Sequence, residues 1–143
     1  MDDVTIRLAR TKADRDAVFR IRRIVFVKEQ HVSPKMEFEG LDAGATHIIV
    51  LHGSKPIGCA RIRFLGVKAK LERIALLKAY REKGIGTRLV NYLLRYCRRK
   101  NARHAVMHAQ THAMKFYQRH GFSTAGKPFN EAGIRHIQMH KQL

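Results

Sequence analysis

Acidic residues are scarce in this chain, cysteines scarcer still, and long apolar runs are missing. Eleven Asp and Glu stand against 29 Lys and Arg, leaving a formal net charge of +18. That excess favours anionic partners without naming one. Cys59 and Cys97 are the only cysteines and lie far apart, with no partner at metal-ligand spacing. Two free thiols in a reducing cytoplasm are therefore expected. No run approaches the roughly 18 apolar residues of a membrane span, so no membrane association is expected. The stretch MDDVTIRLAR is acidic and then alternating, unlike the apolar centre of a signal peptide. Repeats, linkers and low-complexity segments are absent too. With 143 residues, 45% hydrophobic and 28% charged, the chain is expected to form one soluble domain over residues 1–143 with a proper core.

What is present is unevenly distributed. Glu29, Glu37, Glu39 and Asp42 cluster in one stretch, and beyond them only Glu72, Glu82 and Glu131 follow. A basic chain with one acidic stretch suggests two ligands of opposite charge. Val4, Ile6 and Leu8 alternate with polar neighbours as in a strand. From Asp14 to Gln30, Ala17, Val18, Ile21, Ile24 and Val25 recur at helical spacing. Residues 31–44 carry Pro34, Gly40 and Gly44 and read as a loop with room for a short helical turn. THIIVLH and IGCARIRFLGV, joined by GSKP, read as a hairpin, and KLERIALL as a further strand. A helix then runs from Gly84 to Lys100, with Leu89, Val90, Leu93, Leu94 and Cys97 as its buried stripe. RHAVMHA reads as a strand, and THAMKFYQRHG as a helix capped by Thr111 and stopped by Gly121. FSTAGK and IRHIQMHKQ read as closing strands around a loop at 128–133. Strands alternating with helices imply a mixed α/β domain, parallel where helices cross over and antiparallel in the hairpins.

The most informative string is KAYREKGIGTRL, where Gly84 and Gly86 join a hydrophobic run to an amphipathic helix, beside Arg81 and Lys83. The first four N–H groups of a helix lack internal partners, and the helix dipole adds positive character there. A glycine bend at that point can receive a phosphate closely. The same glycines could also do no more than turn a strand into a helix. A dinucleotide fingerprint would need a third glycine where Leu89 stands, and a Walker loop would need Gly-Lys-Ser/Thr; neither is present.

Arg-x-x-Gly-x-Gly, read as Arg81, Gly84 and Gly86, resembles the pyrophosphate-binding segment of the GNAT superfamily of acyl-CoA N-acyltransferases. AQTHAMKFYQRHGF, residues 109–122, resembles a late motif of that superfamily. VFVKEQHV, ATH, LERIALL, HAQTHA, FYQRHGF and NEAGIRHIQM, in this order, resemble its bacterial ElaA/YjcF-like branch. The chain departs from the pattern at Glu82, where many members have glycine, and at Gln110, where many have asparagine. The resemblance implies an α/β GNAT-like fold with a mixed, mostly antiparallel sheet of about seven strands, a parallel central pair and helices on both faces. It also implies an N-acetyltransferase that moves an acetyl group from acetyl-CoA directly to a primary amine in a ternary complex, without a metal.

Carried over by residue, the resemblance assigns the backbone of Arg81, Glu82, Lys83, Gly84, Ile85, Gly86 and Thr87 to the pyrophosphate, with Glu82 pointing outward. Backbone groups at Ile74, Ala75 and Leu76 would pair with the pantetheine arm, which enters where this strand parts from the one at 104–109. An N–H near Leu76 would stabilise the oxyanion, and Gln110 would stand beside the cofactor. Tyr117 would be the general acid, against the alternative of a core aromatic beside Phe116. Glu72, on one strand face with Ile74 and Leu76 by period-two spacing, would be the base, directly or through water. Its alternative is a surface pair with Arg73. Glu29, Glu37, Glu39 and Asp42 would attract a cationic acceptor, or else offset a basic surface.

His104, His108 and His112 recur every fourth residue, but the first two lie in a predicted strand, where that step spans roughly 13 Å. With no H-E-x-x-H either, zinc is not expected. His136 reads as a lining of the acceptor pocket or as a structural histidine. A nucleic-acid-binding module is the main rival, because Arg88, Arg95, Arg98, Arg99 and Arg103 could form a basic patch. Against it, no helix-turn-helix, RNP, KH or zinc-finger signature occurs, so nucleic acid is not the expected partner. A GNAT fold that binds CoA without catalysis is a third reading, which Tyr117 opposes. The amine acceptor and the oligomeric state stay open, dimers being common in the superfamily, and a cytoplasmic location is expected.

Overall fold

The two periodicities of the sequence become seven strands and four α-helices in the computed structural model, which describes residues 3–143. Strand β1 (Val4–Leu8) is followed by α1 (Lys12–Arg22), α2 (Pro34–Glu37), β2 (Thr46–His52), β3 (Lys55–Leu65) and β4 (Lys68–Leu76). Then come α3 (Ile85–Arg99), β5 (His104–Gln110), α4 (Met114–Arg119), β6 (Ser123–Glu131) and β7 (Ile134–Gln142). The strands form one sheet in the order β1-β2-β3-β4-β5-β7-β6. Among the described residues only β4 and β5 run parallel; every other neighbouring pair is antiparallel.

The expected stripe of α3 buries Leu89, Val90, Leu93, Leu94 and Cys97 against one sheet face, joined by Ile85 and by Tyr117 of α4. On the other face α1 buries Ala17, Val18 and Ile21 with Cys59, Ile49 and Ala75. Both thiols, Cys59 and Cys97, are free and buried. Thr11 accepts a hydrogen bond from Asp14 N–H at 3.0 Å and closes a capping box, so α1 begins two residues before Asp14. The helix continues through Arg23–Glu29 with π-type bonding, which the apolar spacing alone does not distinguish from an α-helix.

Two expectations about the closing segments need correction. Thr111 does not cap α4: residues 111–113 form a 3₁₀ turn, and the helix begins at Met114 with no side-chain cap. Residues 128–131 are not a loop either, because β6 continues through Pro128 to Glu131. Proline is tolerated there because β6 is the sheet's edge and its pairing with β7 is interrupted between Ala125 and Phe129.

The feature that shapes the site is a bulge in β4. Cys59 pairs with Ala75 and Arg61 with Glu72, so two steps along β3 oppose three along β4. Arg73 takes up the extra residue with φ of 54°. The bulge inverts the alternation. Ala69 and Leu71 point to the α3 face before it, and Ile74 and Leu76 point to that same face after it, while Ala75 points to α1. Glu72 therefore does not share a face with Ile74 and Leu76; period two holds only while the register is unbroken.

Candidate active site

The parallel ladder between β4 and β5 is short: Lys68, Ala69 and Lys70 pair with His104, Ala105 and Val106, and the strands then separate. β3 holds the far edge of β4, and β7 holds β5 along its whole length. From Leu71 and Met107 onward the facing edges thus border a gap in the sheet. A cleft of about 1160 Å³ passes through it, lined by Ile74, Leu76, Met107, Ala109 and Tyr117 among others.

Backbone direction follows from the register. Leu77 N–H donates to the Ile57 carbonyl at 2.8 Å, which makes 57/77 a hydrogen-bonded pair and Gly58/Leu76 a non-hydrogen-bonded one. The N–H and C=O of Leu76 consequently face the gap, and the carbonyl accepts from Arg81 Nε at 3.0 Å. Ala75 is different. Its backbone turns toward β3, with its oxygen 2.8 Å from where a Cβ on Gly58 would lie, so it is not open to a ligand in the gap. Gly58, which sequence reading did not single out, is required here: that Cβ would also meet Leu76 Cδ2 at 2.5 Å.

Directly after Arg81, which lines the cleft, the chain bends into α3. Gly84 precedes the helix with φ of 82°, a left-handed conformation in which glycine alone is unstrained, and nothing lies within 4 Å of where its Cβ would be. The first helical bond runs from Arg88 N–H to the Gly84 carbonyl. The N–H groups of Ile85, Gly86 and Thr87 are therefore left for an outside acceptor. Glu82 and Lys83 are exposed, and the Ile85 side chain is buried, so only its backbone belongs to the bend. The Arg81 guanidinium is already engaged: it grips Glu29 through two hydrogen bonds of 2.6 and 2.8 Å. That contact holds the Glu29 carboxyl below its ordinary range.

Tyr117 lines the cleft with its ring packed edge-on against Phe116 and Phe122. No hydrogen bond to its hydroxyl is present among the described residues, and burial pushes the phenol's pKa up, so it stays protonated. Gln110, at the end of β5, is held by Gln30, to which its Nε2 donates at 2.8 Å, and by His112, whose Nε2 donates to its Oε1 at 2.7 Å.

The acidic residues behave differently from expectation. Arg22 and Arg61 are both fully buried and draw the acids inward. Arg22 donates to Glu37 at 2.8 Å and to Asp42 at 2.7 Å. Arg61 donates to Glu39 at 2.7 Å and to Asp42 at 2.9 Å. Arg73 adds ion pairs to Glu37 and Glu39. With Glu29 on Arg81, all four acids are neutralised by arginines, and Asp42 does not reach the cleft. Glu37, Glu39 and Asp42 tie the loop to α1, β3 and β4, and Glu29 ties the end of the first helical stretch to Arg81, so the four do not form a free anionic surface.

Glu72 is likewise spoken for, and not by Arg73. It accepts from Arg63 at 2.6 Å and from Arg61 at 3.2 Å, with Lys70 Nζ at 3.7 Å. Burial alone would raise its pKa, but the Arg63 hydrogen bonds and the charges of Arg61, Arg63 and Lys70 outweigh that and hold it below the ordinary value. A carboxylate so held is a poor proton acceptor. Sequence spacing could not show this, because strand alternation does not reveal that Arg61 is buried.

The site thus combines a parted parallel pair, a helix start with N–H groups that lack helical partners, and a buried phenol lining the cleft. A family model for the acetyltransferase (GNAT) domain matches residues 12–143. The Bacillus subtilis protein YyaT is 39% identical over 143 residues, covering 98% of this chain and 97% of YyaT. YjcF of the same organism, described as an uncharacterized N-acetyltransferase, is 37% identical over 94% of this chain and 96% of its own length. The crystal structure of Escherichia coli ElaA superimposes with a TM-score of 0.84 at 22% identity, over 96% of this chain and 99% of ElaA. The chain belongs to the GNAT acetyltransferase family, in its ElaA/YjcF-like branch, a family of acyl-CoA N-acyltransferases.

Proposed function

We propose that the protein transfers an acetyl group from acetyl-CoA to a primary amine by direct attack in a ternary complex. The observation that carries this reading is that β4 and β5 part along one cleft whose wall includes Tyr117 and Arg81, and that the glycine bend opening α3 follows directly after Arg81 in the chain. The bend's unpaired N–H groups, with the helix dipole behind them, suit the pyrophosphate of CoA. Gly84 supplies the left-handed turn that aims them. The pantetheine arm would lie in the gap against the free edge of β4, and Leu76 N–H would donate to the carbonyl oxygen as negative charge develops there.

The sheet divides the labour. The thioester sulfur would lie on the α3 and α4 face with Tyr117, and the amine would approach from the α1 face. Attack forms the N–C bond, the C–S bond breaks, and Tyr117 protonates the departing thiolate. An ammonium loses two protons in becoming an amide: one goes to solvent and one restores the Tyr117 hydroxyl. Glu72 is unsuited to remove the first of these, as its ion pairs indicate.

Thiol release from acetyl-CoA across a panel of amines, with wild type and Tyr117→Phe side by side, tests the proposal. Release that depends on both the amine and the hydroxyl supports it. Tight CoA binding with no release for any amine would favour a silent CoA binder. Thermal stabilisation by DNA or RNA but not by acetyl-CoA would favour the polynucleotide reading.

A further inference from the structure

Three residues on the α1 face of the sheet have no part in the scheme so far, yet they line the same cleft: His108, Glu131 and His136. His108 lies on β5 opposite Gln138, and Gln110 lies opposite His136. Cross-strand partners share a face, so His108, Gln110 and His136 all point away from the α3 layer that buries Ile137 and Met139. Phe129 sits between the two imidazoles, edge-on to His108 at 5.1 Å and stacked on His136 at 6.0 Å.

The hydrogen bonds fix how each ring carries its proton. His108 Nδ1–H donates to Glu131 Oε1 at 3.1 Å, because a carboxylate can only accept. Neutral His108 therefore has its lone pair on Nε2, and no partner for that atom is present among the described residues. His136 Nδ1–H donates to the Ile134 carbonyl at 2.7 Å, and its Nε2 stands 3.9 Å from Glu131 Oε2. Glu131 on β6 pairs with His108, and His136 on β7 shares the Phe129 ring with it. Across the gap β4 presents Lys70 and Glu72 to the same face, already paired with each other and, for Glu72, with Arg61 and Arg63.

We infer that His108 is the proton acceptor for the attacking amine, oriented by Glu131, on the side of the sheet opposite Tyr117. The inference rests on the acetyl-transfer reading above and deepens it. The bound ammonium gives one proton to His108 Nε2, and its freed lone pair then attacks the acetyl carbonyl carbon. The resulting imidazolium is held against the Glu131 carboxylate until it releases that proton to solvent. Acid and base thus stand on opposite faces, with the gap between them for the reacting carbon. Glu131 is a positioning residue; His136 and Phe129 hold the dyad in place.

The test pairs two nucleophiles with acetyl-CoA: butylamine, almost wholly protonated at neutral pH, and hydroxylamine, largely unprotonated. His108→Ala should lower kcat with butylamine about 100-fold, as expected for loss of a general base, and the hydroxylamine rate by only a few fold. Added imidazole should restore part of the butylamine rate. Glu131→Gln should lower kcat about tenfold with KM unchanged, since it loosens the ring without touching substrate. Nitrogen NMR of the imidazoles gives a readout that needs no acceptor: neutral His108 should be protonated at Nδ1 and bare at Nε2. An Nε2-protonated His108, or a butylamine rate unchanged in His108→Ala, overturns the inference. Absence of CoA binding and of thiol release in wild type would instead overturn the acetyl-transfer reading, leaving the NMR result to decide the tautomer.

Discussion

Removing one oxygen from Tyr117 separates its chemical role from its structural one. Tyr117→Phe keeps the ring and its edge-on contacts with Phe116 and Phe122. Among the described residues the hydroxyl has no protein partner to abandon, so the folded state should change by no more than about 0.5 kcal/mol. In a chain of this length that is a shift in Tm of about 2 °C or less. The chemical step should suffer far more. Losing a general acid costs about 100-fold or more in rate, equivalent to roughly 3 kcal/mol of barrier. Burial keeps the phenol protonated well beyond its ordinary range, so the acid should remain competent throughout neutral and mildly alkaline pH. Steady-state kinetics with acetyl-CoA, beside a thermal melt and a CoA titration, gives all three numbers. The expected pattern is a collapsed kcat with unchanged Tm and unchanged CoA affinity. Wild-type kcat in Tyr117→Phe would remove the general-acid role, and a large loss of Tm would show that the hydroxyl is structural.

Glu72→Gln should leave kcat within a few fold of wild type while lowering Tm, because it breaks the pairs to Arg61 and Arg63 without removing a base; a loss of about 100-fold would restore Glu72 to that role. Gly58→Ala should cost about 1–3 kcal/mol by overpacking and should also impair turnover, since the intruding Cβ presses on Ala75 and Leu76; a melt and a rate measurement decide. Asp14→Asn should destabilise by about 1 kcal/mol at pH 7 through loss of the Arg7 bridge and weakening of the capping box that Asp14 completes with Thr11. The hydrogen bonds from Arg7, then from the backbone of Arg10, hold the Asp14 carboxyl well below its ordinary range, so its stabilisation is complete above the unfolded-state value near pH 4. It is lost as pH falls toward the folded value. The gap in Tm between wild type and Asp14→Asn should therefore narrow below about pH 4, and a constant gap would contradict the assignment.

Periodic segments were legible from the chain because their burial follows local spacing: the α3 stripe lies wholly inside, and the β2–β3 hairpin pairs as read. The bulge in β4 was not legible, because the residue that adopts positive φ is Arg73, not a glycine that would have marked it. That one irregularity moved Glu72 to the α1 face and spoiled its reading as a base. The acidic stretch misled for a related reason. Arg22 and Arg61 occur in segments that look half-exposed, and only the packed structure shows them buried and collecting Glu37, Glu39 and Asp42. The glycine bend and Tyr117 were readable because a motif carried them, whereas the His108–Glu131 pair depends on strands β5 and β6 meeting across β7.

Calorimetric titration of CoA alone into the protein tests the anion cradle at the start of α3 most directly. Saturable binding at one site is expected, weakening as salt rises and weaker still when Gly84 is replaced by alanine. No heat of binding, from protein shown to be folded by circular dichroism, would contradict it.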